Sequence, residues 1–107
     1  MVTQASPVLK AALSDSTNSM YNSSIQQYAK FVEFLQLPIP IFPADPGILV
    51  LFISKQLSQG LSPATITSKM SALSYYHKIN GMPDPTQQYI VKSMLTGARK
   101  IPLQANS

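Results

Sequence analysis

The 107-residue sequence predicts an all-α protein, a compact bundle of four to five helices. Three observations carry that expectation. Asp45-Pro46, Ser62-Pro63 and Asp84-Pro85 are helix-start signals: the Asp or Ser oxygen accepts from free first-turn N–H groups, and the proline has no N–H to leave unpaired. Gly60, Gly81 and Gly97 follow as matching stops, since glycine adopts the left-handed conformation that closes a helix C-terminus. Between the signals, apolar residues recur at spacings of three and four, and no run reads as a strand of normal length.

In chain order, Ser6-Pro7 opens a short helix to about residue 13, within an N-terminal segment spanning 1–15. A second helix is expected over 16–36. Its stripe is Met20, Ser24, Tyr28, Phe31 and Leu35, flanked by Tyr21, Val32 and Phe34. Tyr28, Phe31 and Phe34 read as core, whereas Asn22, Gln26, Lys30 and Glu33 point away. Pro38, Pro40 and Pro43 then enforce an extended connector. Ile39, Ile41 and Phe42 are too apolar for a free linker, so the connector is expected to lie across the helices.

The helix predicted over 46–59 carries Ile48 to Ile53, is apolar nearly all round, and reads as the buried central helix. The helix over 63–80 separates cleanly into faces. Ile66, Met70, Leu73 and His77 form its apolar stripe, opposite Ala64, Ser68, Ser71, Tyr75 and Lys78, with Thr67 alongside and Lys69 at the flank. A last helix, 85–96, is expected to bury Ile90, Met94 and Val91 and expose Lys92. The helical domain thus spans 16–97, and 98–107 reads as a linker or tail.

Composition narrows the function. Only 11% of residues are charged, well under the roughly 25% of an ordinary soluble domain. Residues 1–60 carry three cations and three anions, while 61–107 carry Lys69, Lys78, Lys92, Arg99 and Lys100 against Asp84 alone. All of the net charge of +4 therefore lies in the last two helices and the tail, a bias suited to a polyanionic partner. No cysteine is present, so disulfides and thiolate metal sites are excluded. The longest apolar run is too short for a bilayer, and the N-terminus lacks a signal-peptide pattern. A soluble intracellular protein is expected, nuclear if eukaryotic.

Catalysis lacks its parts. The single histidine, His77, sits on an apolar stripe, where core placement is the ordinary outcome. Asp45 and Asp84 are committed as caps and Asp15 is placed for a third, which leaves Glu33 without a carboxylate partner. No His/Asp/Glu group has metal-ligand spacing, and the glycines mark helix stops rather than a phosphate loop. No catalytic residue, metal or cofactor is expected.

The stretch Gly60-Leu61-Ser62-Pro63-Ala64-Thr65-Ile66-Thr67-Ser68-Lys69-Met70-Ser71-Ala72-Leu73 resembles the "g-l-s-x-x-T-i-x-x-y/k-l-S-A-l" segment of tyrosine recombinases, the phage-integrase family. Tyr21 through Phe34 is similar to the family's opening aromatic helix. Gly81-Met82-Pro83-Asp84-Pro85 and the later Val91 to Lys100 stretch resemble its closing pattern. The likeness covers about residues 17–100, is to the N-terminal core-binding, SAM-like domain, and is nearest in character to the eukaryotic mobile-element branch.

This resemblance implies half of a clamp around double-stranded DNA, used in site-specific recombination or transposition. The other half would be a separate catalytic domain supplying a tyrosine nucleophile, two arginines and histidine or lysine partners. Here Arg99 is the single arginine and the sequence ends where that domain would begin, so none of the five tyrosines is taken as a nucleophile. In the family, the second and fourth helices commonly face DNA. Carried over, the candidates are Asn22, Gln26 and Lys30 on one helix and Thr65, Ser68, Lys69, Ser71, Tyr75 and Lys78 on the other, with Arg99 and Lys100 following the backbone. Expected partners are duplex DNA, the parent's catalytic domain and other protomers of a synaptic assembly. The alternative is a helical protein-interaction module without a DNA role, supported by the low charge and by Ile39, Ile41 and Phe42 as a docking surface.

Overall fold

The computed structural model describes residues 15–100. It contains α1 (Asp15–Leu35), α2 (Pro46–Ser58), α3 (Pro63–Ile79), a 3-10 turn (Pro85–Gln87) and α4 (Tyr89–Lys100), with no strand among the described residues. The protein is an all-α bundle, as the punctuation predicts. The most extensive contacts pair α1 with α3 and α2 with α4. Tyr21 meets Tyr75 and Gln27 meets Lys69, so α1 and α3 run antiparallel.

The helix starts are built as their sequences demand. Asp45 Oδ2 accepts from the Ile48 N–H at 3.1 Å, and Ser62 Oγ accepts from the Thr65 N–H at 3.2 Å. Asp84 caps the 3-10 turn through the Thr86 N–H at 2.9 Å. Two stops form complete Schellman closures. At α2, Gly60 N–H bonds Leu57 O and Leu61 N–H bonds Gln56 O; at α3, Gly81 N–H bonds Lys78 O and Met82 N–H bonds His77 O. Gly60 and Gly81 have φ of 88° and 70°, the conformation a Cβ resists. Gln36 ends α1 with φ of 53° without being glycine.

The core is aromatic and aliphatic. Tyr28, Phe31, Leu49, Phe52, Ile53, Ile66, Leu73 and Val91 are buried together, with Phe52 edge-on to Tyr28 at 5.4 Å. Burial, reinforced by the Asp45 carboxylate and opposed by a backbone hydrogen bond from Asp45, pushes the Tyr28 phenol up to about 12. The connector lies across this core as expected. Phe42 packs with its ring tilted, centroids 4.5 Å apart, against Tyr76 and also meets Tyr28 and His77. The fully buried His77 accepts from the Ala44 N–H through Nε2 at 2.8 Å. An amide can only donate, so the ring proton lies on Nδ1, which donates to Leu73 O at 2.7 Å.

Several expectations are corrected. Phe34, read as core, is 79% exposed, and Met20 is exposed although it shares the stripe of α1. Among the described residues neither is covered, because periodicity aligns a face without supplying a neighbour. Leu51 is exposed, so α2 is one-sided rather than buried all round. The stretch 85–96 is not one helix. The backbone turns extended at Gln88 (ψ 144°) before α4 begins, which rotates the buried face onto Val91 and Ala98 and leaves Ile90 exposed and Met94 only partly buried. Gly97 is not a stop: α4 runs through it to Lys100. Val91 and Ala98, seven residues apart, hold that last turn to the core, and Arg99 and Lys100 complement the helix dipole. The short helix proposed for 6–13 and the tail beyond residue 100 lie outside the described residues.

Two measurements check this architecture. A Cβ at Gly97 meets nothing within 4 Å, so Gly97→Ala is expected to raise stability by about 0.5–1 kcal/mol in urea unfolding; destabilisation would restore Gly97 as a cap. Burial pushes the Asp84 carboxyl up, but hydrogen bonds from Ser74, Thr86 and Gln87 outweigh it and hold the group below its ordinary value. A lowered folded-state value gives stability that is present above the unfolded value of about 3.9 and is lost as pH falls through the folded one. Asp84→Asn should therefore be less stable than wild type at pH 7, with the gap shrinking in unfolding curves at pH 3.

Candidate nucleic-acid interface

Because Ile66, Met70, Leu73 and His77 are buried, the opposite face of α3 must look outward. Ala64, Ser68, Ser71 and Lys78 are exposed along it, and Thr67 is half-buried beside them. This face is the one the sequence singles out, but its side chains are not equally available. The Ser71 hydroxyl donates back to Thr67 O at 3.2 Å, leaving its oxygen as an acceptor. Thr65 is committed to the helix start, its hydroxyl 2.9 Å from that of Ser62. Lys69 Nζ donates to Gln27 Oε1 at 2.7 Å and ties α3 to α1.

Tyr75 departs from its expected role. Its ring packs on Tyr21 with centroids 5.4 Å apart, and its hydroxyl is buried without a hydrogen-bond partner. The polar end that was to meet DNA is turned inward. Asn22 and Gln26 are exposed on α1 and border a cleft of about 220 Å³ together with Tyr21, Tyr75, Tyr76 and Asn80. Lys30 stands apart from them. It lines a different cleft, of about 370 Å³, between α1 and α2 with Phe31, Phe34, Lys55 and Gln59, and the Lys55 ammonium there sits 5.3 Å from the centre of the Phe31 ring.

The structure also assembles a groove that the sequence reading did not propose. Between α3 and α4, a depression of about 460 Å³ is lined by Thr67, Ser71, Ser74, Lys78, Gln87 and Lys92 among others. Arg99 reaches the same side of α3, its guanidinium 3.5 Å from Thr67 Oγ1, and Lys100 is exposed one residue on. The carboxylate nearest these cations is Asp84, whose side chain is 8% exposed and 3.9 Å from the 65%-exposed Lys78 ammonium. Ser74 and Thr86 hydroxyls bond it at 2.5 and 2.6 Å. The signal for Lys92 was in the sequence: it lies seven residues before Arg99, two turns along one helical face.

The eleven candidates are therefore not one surface: Thr65 is committed to the start of α3, Lys69 to Gln27 and Tyr75 to Tyr21, and the other eight are spread over the molecule. Ser71 and Lys78 line the α3–α4 side and Arg99 reaches it through Thr67, while Ser68 on α3 and Lys100 on α4 are exposed. Asn22 and Gln26 meet that side only through Tyr75, which borders both hollows, and Lys30 faces α2. What the α3–α4 side can do chemically is present ammonium, guanidinium, amide and hydroxyl groups to oxyanions. Among the described residues no three His, Cys, Asp or Glu side chains come together as a metal site, and no helix is long and apolar enough to cross a membrane.

No protein-family model matches the chain, and no curated protein matches it.

Proposed function

We propose that this chain is a non-catalytic, duplex-DNA-binding helical module, the half-clamp of a tyrosine-recombinase-like protein acting in recombination or transposition. The observation that supports it most is the placement of charge. Lys69, Lys78, Lys92, Arg99 and Lys100 all lie on α3 and α4, two helices in contact, and the one acid set among them is a nearly buried cap. Ser68 and Ser71 add hydroxyls between those cations. Ammonium and guanidinium groups neutralise phosphates, while hydroxyls bond phosphate oxygens or base edges. The likeness of 60–73 to the recombinase segment falls on this same helix.

One observation favours a second reading, a protein-interaction module. Leu51, Tyr89 and Ile90 are exposed at 52%, 82% and 49%, and Tyr89 and Ile90 border an apolar hollow with Val50 and Met94. Of the connector residues expected to form a docking surface, Ile41 and Phe42 pack on the core, whereas Ile39 is exposed.

Titration of labelled duplex DNA at low and moderate salt separates the two. With five or six cations engaged, the log–log salt slope is expected to be about −5, with non-specific dissociation constants of ~10⁻⁴–10⁻⁶ M at physiological salt. Lys69→Ala/Lys78→Ala should weaken binding and flatten the slope by about 2. Undetectable binding at low salt, or an unchanged affinity in the double variant, would sink the proposal.

A further inference from the structure

Resting on that reading, we infer that the groove between α3 and α4 is the track for one phosphate strand of the duplex, with Lys92 as a principal phosphate-binding residue. Lys78 on one wall and Lys92 on the other face a shared hollow of about 460 Å³, with Thr67, Ser71 and Gln87 between them. Arg99 lies seven residues beyond Lys92 on α4, about 10 Å along the helix axis, and touches Thr67 on the opposite wall. Lys78 and Lys92 thus mark the two walls of a single depression and Arg99 reaches its Thr67 edge, while the lining between them mixes the polar Thr67, Ser71, Ser74 and Gln87 with the apolar Met70 and Leu95.

The one carboxylate beside the groove, Asp84, keeps its negative charge but is outnumbered by Lys78, Lys92 and Arg99. Asp84 is 8% exposed, and its oxygens are taken up by Ser74, Thr86 and Gln87. Lys78 is held loosely at 3.9 Å from it and remains 65% exposed, free to swing toward a phosphate at small cost.

The groove fits a sugar-phosphate backbone rather than unpaired bases. Single strands are bound through exposed aromatic faces on which bases stack. Tyr75 is the sole aromatic residue lining the groove, and its ring is packed against Tyr21 with the hydroxyl buried. The expected contact is therefore independent of base sequence and supplies affinity and register.

Salt titrations of wild type, Lys92→Gln and Lys55→Gln with two unrelated duplexes and one single strand test this. Lys92 and Lys55 are both exposed, but Lys55 belongs to the cleft between α1 and α2. Lys92→Gln should flatten the salt slope by about 0.9, equally on both duplexes, with the melting temperature unchanged and Lys55→Gln indistinguishable from wild type. Binding by wild type together with no change in Lys92→Gln overturns the groove and leaves the DNA reading standing. An equal effect of Lys55→Gln, or tighter binding of the single strand than of the duplexes, also overturns the groove. Absence of wild-type binding at low salt removes both.

Discussion

One buried imidazole decides how this bundle is oriented. The proline-broken connector brings polar backbone over an apolar core, and an unpaired amide there costs about 1–3 kcal/mol. His77 meets that need from inside α3, accepting the Ala44 N–H while Nδ1 is anchored on Leu73 O. Phe42 closes the joint against Tyr28, Tyr76 and the imidazole edge. With the connector pinned to the side of α3 that carries Ile66, Met70 and Leu73, the helix cannot roll without exposing His77 and uncapping Ala44. The same constraint therefore puts Ser68, Ser71 and Lys78 in solvent.

The second organising element is Asp84. It begins as a cap, but its carboxylate also gathers Ser74 from α3, Thr86 from the 3-10 turn and, more loosely, Lys78. That knot sets how α4 leaves the turn and so where Lys92 and Arg99 come to lie. A helix-capping acid thereby positions cations, a link between local structure and the charged surface. The lopsided charge of the sequence becomes a lopsided charge in space because α3 and α4 are in contact.

Features set by a few neighbouring residues were legible in the sequence. The starts at Asp45-Pro46 and Ser62-Pro63, the closures at Gly60 and Gly81 and the apolar stripe of α3 are local and present as their chemistry requires, whereas Asp84-Pro85 caps only a 3-10 turn. What depended on a distant partner was not. Phe34 and Met20 lie at helical spacing from core residues but are exposed among the described residues. Gly97 has the composition of a stop, yet contacts of Val91 and Ala98 carry the helix past it. The break at Gln88 changes the register of α4, and with it the fates of Ile90, Val91 and Met94. At the candidate site, charge sign was legible, but pairing was not: Lys69 is tied to Gln27, Tyr75 to Tyr21, and Lys30 is on another side.

The central claim is that the outward face of α3, together with α4, meets duplex DNA. Backbone amide shifts of the ¹⁵N-labelled protein, followed during titration with a short duplex at low salt, test it most directly. The account predicts perturbations centred on Ser68, Ser71, Lys78 and Lys92, with the apolar patch of Val50, Leu51, Tyr89 and Ile90 unmoved. Shifts centred on that apolar patch, or none at saturating duplex, would contradict it.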